Sequence, residues 1–273
     1  MIYYPQMKAQ KIGFFGAGKM AEGILQAYLK TGNAADVVMA EKFLPRAREM
    51  KRRYRVEVVA DAAEVARRAS LVFLAVKPQD VAALAADVKP FLGKDKLVVS
   101  IAAGKSIATL RKALGPKARL VRVMPNLALR AGEGMCALCA ARNATAADLK
   151  RVAKILDAAG RTVVLKEKEF DAVTALSGSG PAFFAYMEEA MAEGGRALGL
   201  KPAVARLLAE QTMLGTAAYL RQSGADLGEF IAGVATKGGT TAAGMDVLAA
   251  SDFKKIVAKT LKAAADRSAE LGR

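Results

Sequence analysis

The sequence predicts an α/β chain in two parts: a doubly wound, largely parallel sheet over about the first 165 residues, and an all-helical remainder. Three observations carry this expectation. Short β-branched apolar runs alternate with helical patterns as far as residue 165, which is the rhythm of repeated strand-helix-strand units. A glycine-rich turn stands between the first apolar run and the first helical pattern. From Lys166 onward the strand pattern stops and amphipathic stretches follow one another.

In chain order, strands are expected at 12–15, 37–40, 56–59, 71–76, 97–101, 120–123, 135–140 and 162–165. In the helical part Phe183, Met187, Met191, Gly194 and Leu198 recur on one face, and Val204, Leu207, Leu208, Gln211 and Leu214 on the next. Gly199 just past one helix end and Pro202 just inside the next start punctuate that pair. Small residues such as Gly194, Gly195, Gly215, Ala217 and Ala218 allow close helix packing, including packing against a second subunit. The expected domains are 8–165 for a dinucleotide and 166–273, helical, for substrate and dimerisation.

Composition narrows the chemistry. The 273 residues contain no His, which removes imidazole bases, Ser-His-Asp triads and His-ligated zinc. Cys136 and Cys139 are the only cysteines, too few for a zinc site and expected on opposite faces of one buried strand, so no metal is expected. The 42 Lys and Arg against 26 Asp and Glu give a net charge of +16. The basic runs at 46–55 and 254–262 alternate with apolar residues and carry no aromatic stacking platform, so they read as solvated faces rather than a nucleic-acid site. No apolar stretch is long enough to span a bilayer and residues 1–10 lack the pattern of a secretory leader, so a cytoplasmic protein without a membrane partner is expected.

The first apolar run is followed by Gly16-Ala17-Gly18-Lys19-Met20-Ala21, a G-x-G-x-x-A at a strand-to-helix junction. Such a turn lets backbone approach a pyrophosphate, while the small third residue lets the helix pack on the sheet and aim its first N–H groups at the phosphates. With Glu41 at the end of the second strand, where a ribose is held, the first part reads as Rossmann-like. Two more glycine-rich elements precede helical patterns: Ser177-Gly178-Ser179-Gly180-Pro181, and Thr236-Lys237-Gly238-Gly239-Thr240-Thr241. Each reads as a helix start with backbone N–H groups and hydroxyls, suited to a small anion or to a plain N-cap.

In this order, Gly16 to Met20, Leu74-Ala75-Val76-Lys77-Pro78, Ser100-Ile101-Ala102-Ala103-Gly104, Met124-Pro125-Asn126, Leu176 to Pro181 and Lys237 to Thr241 resemble pyrroline-5-carboxylate reductase, over about residues 11–261. The resemblance implies hydride transfer from NADPH or NADH to the C=N carbon of L-1-pyrroline-5-carboxylate, giving L-proline. It implies that Gly16, Ala17, Gly18, Lys19 and Met20 hold the pyrophosphate, that Ala75, Val76, Lys77 and Pro78 line the adenosine side, and that Ala102, Ala103 and Gly104 approach the nicotinamide. It further implies that Thr236, Gly238, Gly239, Thr240 and Thr241 bind the substrate carboxylate, with Ser177 beside them and the Thr241 hydroxyl near the ring nitrogen. A homodimer, assembled further as a pentamer of dimers, is the family's common form. The missing histidine fits, because a cyclic imine is basic enough to be protonated before or during transfer, so that positioning carries the catalysis.

Three positions depart from the family pattern: Lys237 stands for the usual proline, Leu127-Ala128 for Thr-Pro, and Glu41-Lys42-Phe43 for small hydroxyl, Asn and Arg residues around a ribose phosphate. Glu41 favours a free 2′-hydroxyl and hence NAD, whereas Lys42 and Arg46 favour a 2′-phosphate. Two other readings compete. A β-hydroxyacid dehydrogenase-like reductase needs a Lys on the first helix of the helical part, and none stands between Phe170 and Leu200. A non-catalytic nucleotide- or amino-acid-binding protein keeps the fold without turnover.

Overall fold

The strand-forming runs assemble into a single eight-stranded sheet in a computed structural model that describes residues 11–272. The reading of residues 1–10 and the expected domain start at residue 8 lie outside the described residues. The strands are β1 (Lys11–Phe15), β2 (Val37–Ala40), β3 (Glu57–Val59), β4 (Ala69–Leu74), β5 (Leu97–Ser100), β6 (Arg119–Pro125), β7 (Gly134–Ala140) and β8 (Gly160–Val164), in the order β3-β2-β1-β4-β5-β6-β7-β8. Every pairing is parallel except β6 with β7. The helices between them are α1 (Lys19–Leu29), α2 (Leu44–Tyr54), α3 (Ala62–Arg68), α4 (Val81–Val88), α5 (Ile107–Leu114) and α6 (Ala146–Leu156).

Because side chains alternate across a strand, the apolar runs supply two cores, one on each face. Ile12, Phe14, Val37, Met39, Leu71, Phe73, Val99 and Val121 pack on one side, where the Phe14 and Phe73 rings stack at 5.1 Å; Phe15, Val38, Val72, Leu74, Val98 and Leu120 pack on the other. Gly13 makes room for α3, since a Cβ there would stand 2.7 Å from Val65 and 2.8 Å from Ala69. Cys136 and Cys139 fall in different clusters, both buried and unbridged, as their spacing on β7 requires. Burial pushes the Cys136 thiol up to about 12, so it is inert at neutral pH.

Past β8 the chain is helical: α7 (Phe170–Val173), α8 (Gly180–Ala197), α9 (Pro202–Ser223), α10 (Leu227–Val234), α11 (Thr240–Ala250) and α12 (Phe253–Leu271). The change from strands to helices comes near residue 165, but packing divides the chain elsewhere. One compact unit runs on to Gly178 and takes up the chain again from Ala264; the other is Ser179–Ala263. The reason lies in Phe170, which is 1% exposed against Ala137 and Cys139 and lies under the Arg122 guanidinium, and in the bond from Ser268 Oγ to Asp171 Oδ1 at 2.7 Å. These residues tie both ends of the helical stretch to the sheet-bearing unit.

Within the second unit, α8 and α9 pack as a hairpin, with Ala205 and Ala209 buried and Gly195 facing Ala205. Beyond the half-buried Phe183, the apolar residues of the two predicted faces are open: Met191 is 53% exposed, Leu207 63% and Leu214 62%. Leu198, Leu208, Val247 and Ile256 are exposed as well. Among the described residues no helix is long and apolar enough to cross a membrane.

Candidate active site

The carboxyl ends of β1, β2 and β4 meet where the crossovers part to opposite sides, the place at which parallel sheets open a crevice. Gly16 turns the chain there with φ +94°, and a Cβ on it would stand 2.8 Å from the Ala75 carbonyl oxygen, so only glycine fits both the conformation and the space. Its N–H donates to the Ala40 carbonyl, and the Ala75 N–H donates to that of Phe15, both at 2.9 Å. Gly18 then starts α1 with no side-chain cap, and a Cβ on it would meet nothing within 4 Å. Gly18, at the uncapped start of α1, lines a cleft of about 510 Å³. Of the residues singled out in the sequence, Gly16, Ala17, Gly18, Glu41, Lys42, Ala75, Val76 and Lys77 line it. A cradle of this size, with bare helical N–H groups where a Cβ would stand, fits a dinucleotide pyrophosphate.

Lys19 is exposed beside the cleft, Met20 packs against the core, and Pro78 opens the short turn Pro78–Asp80. Ala102, Ala103 and Gly104 do not line the cleft: Ala102 is buried, Ala103 is exposed, and Gly104 is covered by the end of α12, where a Cβ would meet Leu271 at 3.0 Å.

Glu41 spans the glycine-rich turn and the segment after β2. Its Oε2 accepts from the Ala17 N–H at 3.1 Å and its Oε1 from the Phe43 N–H at 2.9 Å. Arg46, read from the sequence as a candidate phosphate clamp, is engaged elsewhere. Its Nε donates to the Ala17 carbonyl at 2.7 Å, and its terminal nitrogens bind Glu22 at 2.9 Å and Glu49 at 2.7 Å. That leaves Lys42 as the exposed cation of the pair. Glu22 is 2% exposed and also accepts from Tyr54 Oη at 2.6 Å and from Arg53 at 3.1 Å. Burial works to raise its pKa, but the hydrogen bonds from Tyr54 and Arg46 and the charges of Arg46 and Arg53 outweigh it and hold the carboxyl below the usual range.

The two glycine-rich elements of the helical stretch differ from each other. Ser177 and Gly178 form the end of a π-helical turn, Thr174–Gly178, that joins α7 to α8 through Ser179 in helical conformation. The expected loop with bare N–H groups at this point is therefore corrected to a widened helical turn, a feature common at functional sites. Gly178 packs closely on Met124, whose Cε would stand 2.4 Å from a Cβ at that position. Ser177 Oγ accepts from Asn126 Nδ2 at 3.4 Å, while Asn126 Oδ1 accepts from the Met135 N–H at 3.1 Å. In the second unit, residues 236–241 do form an open helix start. Gly238 turns with φ +76°, the Gly239 N–H donates to the Thr236 carbonyl at 2.9 Å, and α11 begins at Thr240 with no side-chain cap. Thr236, Lys237, Gly238, Thr240 and Thr241 are exposed there.

Comparison with known proteins bears on this arrangement. Residues 167–271 match a family model described as pyrroline-5-carboxylate reductase dimerisation, and residues 11–104 one described as coenzyme F420-dependent NADP oxidoreductase. The pyrroline-5-carboxylate reductase of Methanosarcina acetivorans is 36% identical over 269 residues, 98% of this chain and 100% of that protein. That of Arabidopsis thaliana is 37% identical over 96% of this chain and 95% of its own. The chain belongs to the pyrroline-5-carboxylate reductase family.

Among solved structures, the pyrroline-5-carboxylate reductase of Coxiella burnetii superposes with a TM-score of 0.92 at 30% identity, covering 97% of this chain and 100% of that one. A Plasmodium falciparum pyrroline carboxylate reductase with NADP bound gives 0.86 at 28% identity, covering 98% and 100%. As a pyrroline-5-carboxylate reductase, the protein is an NAD(P)H-dependent oxidoreductase that reduces a small-molecule C=N bond, and its match to the family's dimerisation model supports oligomerisation. Asp80, Leu84 and Asp87 in the cleft wall of this reductase, and the buried Glu22, belong to no motif legible in sequence. Asp80 and Asp87 are ordinary surface carboxylates in sequence. Glu22 sits one residue past the glycine motif, where an acid reads as favourable charge at a helix start.

Proposed function

We propose that the reductase holds its dinucleotide in the cleft at the start of α1 and its substrate carboxylate at the start of α11. The observation that carries the first assignment is the uncapped start of α1 at Gly18, opening on a cleft whose wall includes eight of the residues singled out in sequence. In this reading Gly16 to Met20 hold the pyrophosphate, Ala75 to Pro78 with Glu41 and Lys42 line the adenosine side, and Ala102, Ala103 and Gly104 serve the nicotinamide end. The reduced nicotinamide supplies the hydride. Thr236, Gly238, Gly239, Thr240 and Thr241 hold the carboxylate through N–H groups and hydroxyls, the Thr241 hydroxyl stands at the ring nitrogen, and Ser177 belongs to the same task. The substrate enters already basic at nitrogen, so these groups orient and neutralise it rather than deliver the proton of a strong acid.

The stretch 8–165 serves the dinucleotide in this assignment, and 166–273 serves substrate and dimerisation; the exposed Met191, Leu207 and Leu214 support a homodimer buried through the helical stretch, with pentamers of dimers as the higher form. The reductase is assigned to the cytoplasm, and no helix among the described residues is long and apolar enough to cross a membrane. Thr241→Ala tests the substrate site. Loss of one positioned hydroxyl should lower kcat/KM for the imine by on the order of 10- to 1,000-fold and leave dinucleotide affinity and thermal stability unchanged. An unaltered kcat/KM would remove Thr241 from the site.

A further inference from the structure

Ala17, at the centre of the glycine-rich turn, has no exposed surface, yet both of its backbone polar groups are bound by charged side chains. Its N–H goes to the Glu41 carboxylate and its carbonyl takes the Arg46 Nε–H. These two groups belong to different peptide planes. The first is the Gly16–Ala17 plane. The second contains the Ala17 carbonyl and the Gly18 N–H, which point in opposite directions across a trans peptide. Holding the carbonyl on the α2 side therefore aims the Gly18 N–H away from α2, and that N–H has no acceptor among the described residues.

Arg46 is itself held. All three guanidinium nitrogens have acceptors, and the Glu22 carboxylate that receives one of them is 2% exposed and shared with Arg53 and Tyr54. Tyr54 Oη in turn accepts from Gln26 Nε2 at 2.7 Å, and Arg130 approaches Glu22 at 3.8 Å. A buried carboxylate with this many donors has little freedom to move, so the guanidinium it fixes is a stiff support rather than a surface charge waiting for a ligand.

We infer that Arg46, anchored by Glu22, is a positioning residue that sets the Ala17–Gly18 peptide plane for the dinucleotide, and that it takes no part in choosing between NADH and NADPH. The inference rests on the assignment of the cleft to the dinucleotide. Setting the plane in advance spares the bound state the cost of ordering the turn, and the benefit is the same for both cofactors because they share the pyrophosphate. A phosphate clamp would behave differently, since its removal weakens NADPH alone.

The test compares Arg46→Met, Glu22→Gln and Gly18→Val with the wild type, reading the Kd of NADH and of NADPH from nicotinamide fluorescence, in a protein that contains no Trp. The KM and kcat for each cofactor and the Tm are measured alongside. Arg46→Met should raise Kd and KM by about 10-fold for both cofactors alike, with kcat at saturation within about three-fold of wild type. Glu22→Gln, which keeps the shape and an acceptor but removes the anchoring charge, should shift both Kd values in the same direction by about three-fold. A loss confined to NADPH would overturn the inference in favour of a 2′-phosphate clamp. A lower Tm with both Kd values unchanged would overturn it in favour of a purely structural network. If Arg46→Met does not fold, an unchanged pair of Kd values in Glu22→Gln overturns it equally. Gly18→Val separates the two layers, because Gly18 lines the cleft and a Cβ there would meet no protein atom within 4 Å, so the added side chain is placed on the cleft side. If it leaves both Kd values unchanged, the cleft assignment falls and the inference with it; if it weakens both while Arg46→Met weakens neither, only the positioning role falls.

Discussion

Replacing Glu41 by Ser should shift cofactor preference toward NADPH by roughly ten-fold. Glu41 is fixed in the cleft wall by the Ala17 and Phe43 N–H groups, so its charge does not swing away from an incoming ligand. A 2′-phosphate carries a charge near −2. At a separation of about 6 Å and an effective dielectric constant of about 40 for a half-exposed site, its repulsion from one carboxylate is about 2.8 kcal/mol. Physiological salt, with a Debye length of about 8 Å, halves this to about 1.4 kcal/mol, which is a factor of ten. Asp80 and Asp87 in the same wall act in the same sense and Lys42 and Lys77 against it, and the wild type should use NADH at least comparably with NADPH. The serine also releases the two N–H groups, but that loosens the turn for both cofactors and cancels in the ratio. Steady-state kcat/KM for NADH and NADPH on both proteins gives that ratio. A wild type at least a hundred-fold better with NADPH, or a ratio unmoved by Glu41→Ser, would refute the reasoning.

Two further outcomes follow from packing and charge. Because Glu22 is held ionised below its ordinary value of 4.5, its contribution to stability is complete above that pH and is lost as pH falls through its lower folded-state value. Glu22→Gln should therefore flatten the acid side of the stability curve below about pH 4.5, read by urea unfolding at a series of pH values; an unchanged acid slope would contradict the network. The apolar faces left open on α8 and α9 should hold subunits together at micromolar concentration, and Leu207→Glu with Leu214→Glu should lower the mass seen in sedimentation. A wild type that sediments as an active monomer would contradict that role.

The sheet was legible because its strands are buried on both faces and stand out as β-branched runs between helical patterns; all eight appear, with ends shifted by a residue or two. The glycine-rich turn was legible because position and backbone geometry coincide at Gly16. The widened turn at Thr174–Gly178 was not, since glycine and serine before a helix read locally as a loop. Nor was the engagement of Arg46, because Glu22 lies 24 residues away in sequence and only the packing of α1 against α2 brings the charges together. Local pattern reveals elements and turns, whereas the partners of a long charged side chain are fixed by tertiary packing.

The most direct measurement incubates the purified protein with L-1-pyrroline-5-carboxylate and NADH or NADPH, following loss of reduced-nicotinamide absorbance and the formation of proline by chiral chromatography. One L-proline should form for each reduced cofactor consumed, at a rate that saturates with the imine. Cofactor oxidation no faster than in the absence of the imine, or oxidation without L-proline, would contradict the account.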